Sequence, residues 1–369
     1  MSTKAKIVIV GAGPAGSATA LHLAQLGIDD ITIVDLHGFP RDKTCGSGLS
    51  PRAIRTLEQL GVWASVEPLA YPIKGIQVTS RDGHQAYLSA GERAQAAICL
   101  RRDLDHAIHK RSLERGVTFL SGFAASTPIL RGDRWVGVRA RDGREVRADW
   151  VVVANGAHST MSTCDGPKQS IHTIMGWWQG VEHRGHTVEM IWDDLTLPYY
   201  GWLFPETQTR VNIGITYEDD RKRKNARRIF TAFLNKHFCE RLRDAEQLGK
   251  WKGHPIVYTY RTGALWSPGR VVVGEAGRMT HPATGEGISQ AMRSGIFAAE
   301  ALADILSGVA NEHDALNRYD RRCAKAFMPS FWVGGLFRGV LRTPLFDKAL
   351  AIGSSPRVKS AMAHVLAHM

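Results

Sequence analysis

The N-terminal 35 residues constrain the fold of this chain more than any other segment. An apolar run at 6–10 leads directly into the turn Gly11-Ala-Gly13-Pro-Ala-Gly16, and a second apolar run at 31–34 ends at Asp35. The pattern predicts a strand, a helix that begins in the glycine turn and stops near Gly27, and a second, parallel strand. Such a βαβ unit places a phosphate-binding turn at the carboxyl end of a sheet.

Each glycine of the turn has a separate role in such a unit. Gly11 permits the tight turn, Gly13 lets the backbone approach a pyrophosphate, and Gly16 allows the helix to pack on the strand. The amides at the helix start, near Ala15, can bind the phosphates. Asp35 lies 19 residues after Gly16, about where a carboxylate accepts hydrogen bonds from an adenosine ribose. The segment therefore predicts a dinucleotide cofactor.

Composition excludes several other classes of protein. The chain has 369 residues, 44% of them hydrophobic, which is too apolar for a disordered protein and long enough for about two domains. Its five cysteines form no CxxC pair and have no partners at metal-ligand spacing, which predicts no metal site, no disulfide scaffold and a reducing, cytoplasmic location. No apolar run approaches the ~20 residues of a membrane span. We therefore expect a cytoplasmic protein, peripheral to a membrane at most.

The positive charge of the chain is concentrated in two segments. The formal net charge is +12, yet 221–228 alone contains six basic residues, and 321–369 contains eight basic residues and one acidic residue. No nucleic-acid-binding motif surrounds either segment, so we expect no nucleic acid partner. A solvated basic surface and a surface that docks on a membrane or an acidic protein both remain open.

The rest of the chain predicts a second sheet and a helical end. Residues 171–217 are rich in β-formers and aromatic residues, whereas the residues after 311 are typical of helices. We predict an α/β fold in which a Rossmann-type cofactor-binding domain carries an inserted antiparallel β-sheet substrate domain and a helical C-terminal tail. The predicted boundaries are 1–75, 96–165 and 262–310 for the first domain, 76–95 and 166–261 for the second, and 311–369 for the basic helical segment.

Three further segments carry a resemblance to a known family. They are Phe39-Pro-Arg-Asp-Lys-Thr-Cys-Gly-Ser-Gly-Leu-Ser-Pro-Arg52, Gly274-Glu-Ala-Gly-Arg-Met-Thr-His-Pro-Ala-Thr-Gly-Glu-Gly-Ile288, and Tyr199-Tyr-Gly-Trp202-Leu-Phe204-Pro205. Taken in their order along the chain, they resemble the motifs of the geranylgeranyl reductase family, which has the flavoprotein fold of p-hydroxybenzoate hydroxylase. The resemblance covers residues 5 to about 305.

The resemblance implies that the dinucleotide is FAD. Arg101 corresponds to the arginine of the family's RxxLD motif, which approaches the cofactor phosphate and ribityl region, and a guanidinium suits that role as a permanently charged donor. The implied FAD-binding residues are Gly11, Gly13, Ala15, Gly16, Asp35, Arg41, Cys45, Gly46, Arg101, Asn155, Gly156, Gly274, Glu275, Pro282, Gly285, Gly287 and Ile288.

The segment 274–288 is also suited by its predicted structure to stabilise a reduced flavin. A helix that begins near Gly285 points its positive N-terminal end at the loop, where the amides of Gly287 and Ile288 can stabilise negative charge on a reduced flavin.

Two positions depart from the family pattern. Glu275 replaces an aspartate and is one methylene longer, which shifts its expected ribose contact. The turn at Asn155-Gly156 has lost both its aspartate and its arginine, so the electron donor is open between NAD(P)H and a reduced redox partner.

The resemblance also implies the chemistry, which is the flavin-mediated saturation of alkenes in hydrophobic, usually isoprenoid, substrates. Substrate-binding candidates are Trp178, Tyr200, Trp202 and Phe204, and packing within the sheet core is their alternative. Cys45 could donate a proton or act as a redox-sensitive gate, or could be an inert buried thiol. His281 could donate a proton as well, or could be an exposed loop histidine.

Other functions share this fold. The main alternative is a flavin-dependent monooxygenase that adds one oxygen atom to an aromatic or alkene substrate. A flavin halogenase is less favoured, because its paired-tryptophan signature is missing and Lys74 is its sole other indication. A flavin-bearing binding protein without activity is the non-enzymatic alternative, and the complete 274–288 segment argues against it.

Overall fold

The computed structural model describes residues 2–89, 94–162, 170–218 and 225–352. The strands, in chain order, are β1 (Ser2–Val10), β2 (Ile31–Val34), β3 (Gly48–Leu49), β4 (Tyr71–Ile73), β5 (Gly75–Thr79), β6 (Gln85–Ser89), β7 (Ala96–Ile98), β8 (Thr118–Leu120), β9 (Ala125–Arg131), β10 (Arg134–Ala140), β11 (Glu145–Val153), β12 (Ser170–Gln179), β13 (Thr187–Ile191), β14 (Gly201–Pro205), β15 (Arg210–Glu218), β16 (Glu246–Gln247), β17 (Lys252–Val257), β18 (Trp266–Ser267) and β19 (Arg270–Val272). The helices are α1 (Pro14–Gln25), α2 (Pro51–Gln59), α3 (Trp63–Val66), α4 (Arg101–Leu113), α5 (Ala226–His237), α6 (Ile288–Leu306), α7 (Glu312–Leu341) and α8 (Leu345–Ile352), with 3-10 turns at Glu67–Leu69 and Gly274–Gly277.

The first sheet contains the predicted βαβ unit. Its strands follow the order β18-β19-β11-β1-β2-β8, and β1 pairs in parallel with both β2 and β11. Ile7 and Ile9 face the cluster that contains α1, α6 and α7, whereas Val8 and Val10 face the cluster that contains β9 and β10. Both faces are therefore covered, which explains why β1 is a continuous apolar run.

The second sheet has the order β16-β12-β15-β14-β13-β5-β6, with β17 also paired to β12. It is antiparallel, as predicted, except that β13 pairs with β5 in parallel. One face packs against Phe230 and Phe233 of α5 and against Phe238, which directly follows that helix. The other face carries the aromatic side chains of β14. A small third sheet, β3-β7-β4, stands beside these two.

The C-terminal helices reach both large sheets. The N-terminal part of α7 packs in the first-domain cluster through Tyr319, Cys323 and Phe327. Its C-terminal part and α8 pack on the aromatic face of the second sheet through Leu341, Phe346 and Leu350. The predicted α/β fold with a helical tail is thus confirmed, the tail as far as residue 352. The basic positions at 221–224 and 353–369 lie outside the described residues. Among the described helices, none has the length and apolarity that a bilayer span requires.

Candidate active site

A cavity of about 990 Å³ is lined by residues of all three sheets. This volume lies at the upper end of the range of about 300–1,000 Å³ that is usual for ligand pockets. Most of the residues that the sequence predicts for FAD line it, although their binding role stays a prediction. These residues are Gly11, Gly13, Ala15, Asp35, Arg41, Cys45, Gly46, Arg101, Asn155, Gly156, Glu275, Gly285, Gly287 and Ile288.

Three predicted cofactor residues do not line the cavity. Gly16 packs α1 against the carbonyl of Gly11, which is the role expected of the third glycine. Gly274 donates its amide to Ser294 Oγ at 2.9 Å, and a Cβ there would approach Ala15 at 2.9 Å. Pro282 is turned towards α7, where its carbonyl accepts from Arg338 at 3.4 Å.

Asp35 is held at the end of β2, beside the glycine turn. Its two carboxylate oxygens accept hydrogen bonds from the amides of Ala12 and His37, each at 2.8 Å. Helix α1 begins after Gly13, and no side chain caps its first amides. The uncapped amides and the carboxylate at the cavity wall fit a pyrophosphate and a ribose, respectively.

Two arginines of the cavity wall share one buried carboxylate. Arg101 binds Asp105 through Nε at 2.6 Å and Nη2 at 2.8 Å, and Arg41 Nη1 lies 3.3 Å from the same carboxylate. Burial opposes the charge of Arg101, but Asp105 outweighs it and raises the pKa of Arg101 above its usual value. Asp105 belongs to the RxxLD motif, and sequence reasoning assigned it no role. Its position shows that it orients both guanidinium groups.

Two polar atoms of the cavity wall fit a polar ligand. Asn155 Oδ1 and Thr280 Oγ1 are buried and have no hydrogen-bond partner within the described residues, and both side chains line the cavity. A buried polar atom without a partner is costly. A bound cofactor with donor and acceptor groups would remove that cost, so the cavity fits FAD in its chemistry as well as in its size.

The segment before α6 is tied to the motif at 39–52. Ser50 caps α2 by accepting from Ala53 N at 3.2 Å, and its hydroxyl also donates to the carboxylate of Glu286. Burial raises the pKa of Glu286. Glu275 accepts from Val257 N at 3.1 Å, so the longer side chain reaches the end of β17 while still lining the cavity. The positive end of α6 therefore faces the cavity from a braced loop.

Sequence reasoning missed a basic cluster in the same wall. Lys43 Nζ lies 2.9 Å from Nε2 of His254, and His158 packs edge-on against His254 with ring centroids 5.4 Å apart. Burial, then Lys43 and His158, lower the pKa of His254 to about 3, so its neutral ring accepts from the lysine. Lys43 could have been found in the 39–52 motif. His254 could not, because it lies 211 residues away on the second sheet.

An aromatic wall forms the other side of the cavity. Tyr200, Trp202 and Phe204 all line it, as predicted, and their successive ring centroids are 6.1 and 5.8 Å apart. Trp202 donates its indole N–H to Asn212 at 2.7 Å, and Tyr200 donates its hydroxyl to the carbonyl of Thr284 at 2.6 Å. Because these polar groups are satisfied, the rings are free to present apolar surface to a ligand.

The predicted substrate contact of Trp178 was wrong. Trp178 is buried on the opposite face of the sheet, where its ring lies 6.3 Å from that of Phe230 on α5. The strand register explains the error, because Trp202 pairs with Gly214 on β15 and Gly214 pairs with Met175 on β12. Met175 and Trp177 therefore share the face of Trp202, and Trp178 points away from it.

Cys45 lies in the cavity wall beside the aromatic rings. Its Sγ accepts from Ser47 N at 3.3 Å, and Arg101 interacts with the same side chain. A Cβ on the neighbouring Gly46 would lie 3.1 Å from the ring of Phe204. The loop that carries Cys45 thus packs directly against the aromatic wall.

The structure places His281 behind the cavity wall, away from the position expected of a proton donor. His281 is fully buried and does not line the cavity. Its Nε2 donates to the carbonyl of Ser330 on α7 at 3.0 Å, and its Nδ1 accepts from Thr284 N at 3.1 Å. Burial lowers its pKa to about 4. This neutral ring joins the loop to α7, and its Nδ1 lies 3.0 Å from the hydroxyl of Thr284, which lines the cavity.

Comparisons with known proteins agree with this geometry. The FAD binding domain family matches residues 4–328. Menaquinone reductase of Mycobacterium tuberculosis is 30% identical over 334 aligned positions, which cover 81% of this chain and 76% of that protein. Digeranylgeranylglycerophospholipid reductase of Picrophilus torridus is 27% identical, with coverage of 89% and 85%.

Solved structures share the fold. A geranylgeranyl bacteriochlorophyll reductase-like protein of Thermoplasma acidophilum has a TM-score of 0.87 at 18% identity, over 98% of this chain and 96% of that chain. The flavin-dependent brominase Bmp2 has a TM-score of 0.82 at 21% identity, over 99% and 94%. Structural likeness at these identities demonstrates a common architecture and does not separate reductase from halogenase chemistry.

Proposed function

We propose a reaction from the premise that this chain belongs to the geranylgeranyl reductase family of FAD-dependent oxidoreductases. The proposed reaction is the reduction of a carbon–carbon double bond in a hydrophobic substrate of isoprenoid or secondary-metabolite type. The observation that carries it is the aromatic wall of Tyr200, Trp202 and Phe204, which shares one cavity with the glycine turn and the start of α6. Such a wall suits a substrate that has no polar group at its reacting end.

FAD, when bound, would supply a hydride from its reduced ring. Asp35 and the uncapped amides after Gly13 would hold its adenosine and pyrophosphate portions. Arg101 would contact the middle of the cofactor, fixed in place by Asp105. The amides at the start of α6 would face the ring and favour negative charge there.

Reduction of a double bond needs a proton as well as a hydride, and we assign the donation of that proton to Cys45. Of the two catalytic candidates from the sequence, Cys45 lines the cavity and His281 does not. The loop at Gly46 packs against Phe204, so the thiol stands next to the apolar wall where an alkene would lie. Trp202 and Tyr200 have satisfied polar groups, which leaves their ring surfaces to orient the chain of the substrate and exclude water.

Product mass tests the reaction directly. Purified holoprotein, which we expect to be yellow, is reduced without oxygen and incubated with a menaquinone or a geranylgeranylated glycerophospholipid, the compounds for which the relatives are named. A gain of two hydrogens per double bond that persists after air has reoxidised any quinol supports the proposal, because reduction of the quinone ring of menaquinone also adds two hydrogens. Both alternatives need molecular oxygen, so a parallel incubation in air with a reductant and a halide salt tests them. A gain of one oxygen there would establish the monooxygenase alternative, and incorporation of a halogen would establish a halogenase.

The electron donor is part of the same proposal and is either NAD(P)H or a reduced redox partner. The turn at Asn155 and Gly156 lacks the aspartate and the arginine of the family pattern, which weighs against direct NAD(P)H use. Bleaching of the flavin absorbance by NADPH or NADH without oxygen would identify the nucleotide as donor. Bleaching by a reduced ferredoxin or flavin reductase alone would identify a protein partner.

A substitution at Cys45 tests the proton donor. We expect Cys45→Ala to lower turnover about 10²-fold or more, the usual contribution of a general acid, with little change in FAD affinity. Cys99→Ala is the matched control, because Cys99 is a free, buried cysteine that does not line the cavity. Undiminished turnover of Cys45→Ala would remove the thiol from the mechanism.

A further inference from the structure

The outer face of α7 is unusually apolar. Of the large hydrophobic residues that are exposed in the described part of the chain, five lie within 14 positions at the end of α7 and the start of α8. We name this set the outer apolar face, and its members are Trp332, Val333, Leu336, Val340 and Leu345. Trp332 is 70% exposed and Leu336 is 75% exposed, so neither contributes to the core.

The outer apolar face is distinct from the surface that packs α7 into the protein. Phe331, Gly334 and Leu341 point inwards and are buried, whereas Trp332, Leu336 and Val340 follow one another at intervals of four on the opposite side. Residues at that spacing lie on one side of a helix. The helix is therefore apolar on two sides, and folding accounts for only one of them.

Basic side chains flank the outer apolar face. Arg321 and Lys325 are exposed on α7 on its N-terminal side, and Lys348 is exposed on α8. Within the described residues none of these three forms an ion pair, so their charge is available to a partner. The nearby Asp347 is buried against Arg81 and does not offset them. An exposed tryptophan and leucines between unpaired cations are typical of helices that lie in a membrane interface.

We propose that this face docks the protein on the surface of an anionic lipid bilayer. Trp332, Leu336 and Leu345 enter the boundary between headgroups and acyl chains, and Arg321, Lys325 and Lys348 contact anionic headgroups. The charge pattern favours a lipid bilayer over a second copy of the chain, because the basic residues on both sides of the outer apolar face would repel the same residues on that copy. Docking does not depend on the reaction that the enzyme catalyses.

Docking here would bring the lipid next to the aromatic wall. On their inner sides, Phe337 and Phe346 contact Trp192, with ring centroids 6.3 and 5.1 Å away, and Trp192 contacts Tyr200 at 5.7 Å. Only the end of α7 and α8 separates the outer apolar face from those rings. This consequence, unlike the docking itself, rests on the proposed hydrophobic substrate.

Flotation of the oxidised holoprotein with vesicles tests docking without substrate or reductant. We expect it to float with phosphatidylglycerol-rich vesicles, and to bind pure phosphatidylcholine vesicles at least ten-fold more weakly, since each cation near an anionic surface contributes about five-fold. The double variant W332E/L336E should bind the anionic vesicles at least ten-fold more weakly than the wild type. The matched control L130E/V309E changes two exposed apolar residues elsewhere and should float like the wild type.

Three results would overturn the proposal. The first is that the wild type does not float with anionic vesicles at low salt. The second is that W332E/L336E and L130E/V309E lose vesicle binding to the same extent. The third is a wild-type dimer in sedimentation velocity that W332E/L336E converts to a monomer. The last result would assign the face to a second copy of the chain. Retained FAD absorbance in each variant verifies that it is folded. Flotation with no product in the mass assay would leave docking supported and the proposed reaction refuted.

Discussion

At the glycine turn, the packing of the protein itself requires two of the three glycines and does not require the third. A Cβ on Gly16 would overlap the carbonyl oxygen of Gly11, and a Cβ on Gly11 would lie 2.6 Å from the oxygen of Ala154. Gly11 also has a φ of +104°, which side chains rarely tolerate. By contrast, a Cβ on Gly13 would meet only Arg41 Nη2, at 3.7 Å.

The glycine substitutions should therefore separate folding from cofactor binding. We expect Gly13→Ala to leave the Tm of the apoprotein unchanged and to weaken FAD binding at least ten-fold, because the methyl group points at the pyrophosphate position. Gly16→Ala should lower the free energy of unfolding by about 1–3 kcal/mol or more through overpacking. Thermal unfolding of the apoprotein and fluorescence titration with FAD measure the two effects. An equal loss of Tm in both variants would contradict the assignment.

At the scale of elements, the loop before α6 is fastened to α7. His281 spans the junction, accepting from Thr284 within the loop and donating to Ser330 on the helix. Arg338 adds hydrogen bonds to Tyr199 Oη at 2.6 Å and to the carbonyl of Pro282 at 3.4 Å. The loop that faces the cavity thus depends on α7 for its position.

This junction should weaken in acid. The pKa of His281 falls from 6.5 to about 4 on folding, chiefly through burial, so between these values the unfolded chain binds more protons and stability drops as pH falls. For this single group the loss is about 2 kcal/mol by about pH 5. Urea unfolding of His281→Asn should show a smaller loss between neutral and acidic pH than the wild type.

The control for this experiment is His84→Asn, which changes an exposed turn residue. It should retain the pH dependence of the wild type. His109 is buried and His254 is half-buried, and both have lowered pKa values, so a residual acid sensitivity is expected in His281→Asn. An unchanged slope in His281→Asn would show that these two groups dominate and that the junction does not titrate.

In the whole molecule, an ion pair attaches α8 to the far end of the second sheet, beside the apolar contacts of Phe346 and Leu350. Asp347 is buried and accepts from Arg81 Nη2 at 3.0 Å, and its other oxygen accepts from Asp82 N at 3.3 Å. Arg81 lies in the turn between β5 and β6. The C-terminal helix is therefore attached to a hairpin that precedes it by 266 residues in sequence.

Arg81→Ala should release α8 from the sheet. The variant leaves the Asp347 carboxylate buried beside apolar residues, a loss of about 3–5 kcal/mol for fully buried pairs and less here because Arg81 is 27% exposed. Hydrogen exchange of residues 345–352 should accelerate at least ten-fold, and the double variant R81A/D347N should recover most of the protection. Arg111→Ala, which breaks an exposed pair, is the control and should have no effect there.

Some site residues were predictable because their signals are local. The glycine turn, Asp35 and the cysteine loop each combine residues that are close in sequence, and the structure brings them together in one cavity. Lys43 lies in the cysteine loop and Asp105 in the RxxLD motif, so both were accessible in principle. The parallel pairing of β13 with β5 was not, because it joins segments that are more than 100 residues apart.

By itself, the sequence determined the βαβ unit, the alternation that puts Tyr200, Trp202 and Phe204 on one face, and the helical end of the chain. Tertiary structure alone decided that Trp177, and not Trp178, of β12 lies on that face, because a shift of one residue in register exchanges the two sides of a strand. It also decided that His281 faces α7 and that Lys43 meets His254. Those contacts depend on how separate elements pack, and no local pattern records that packing.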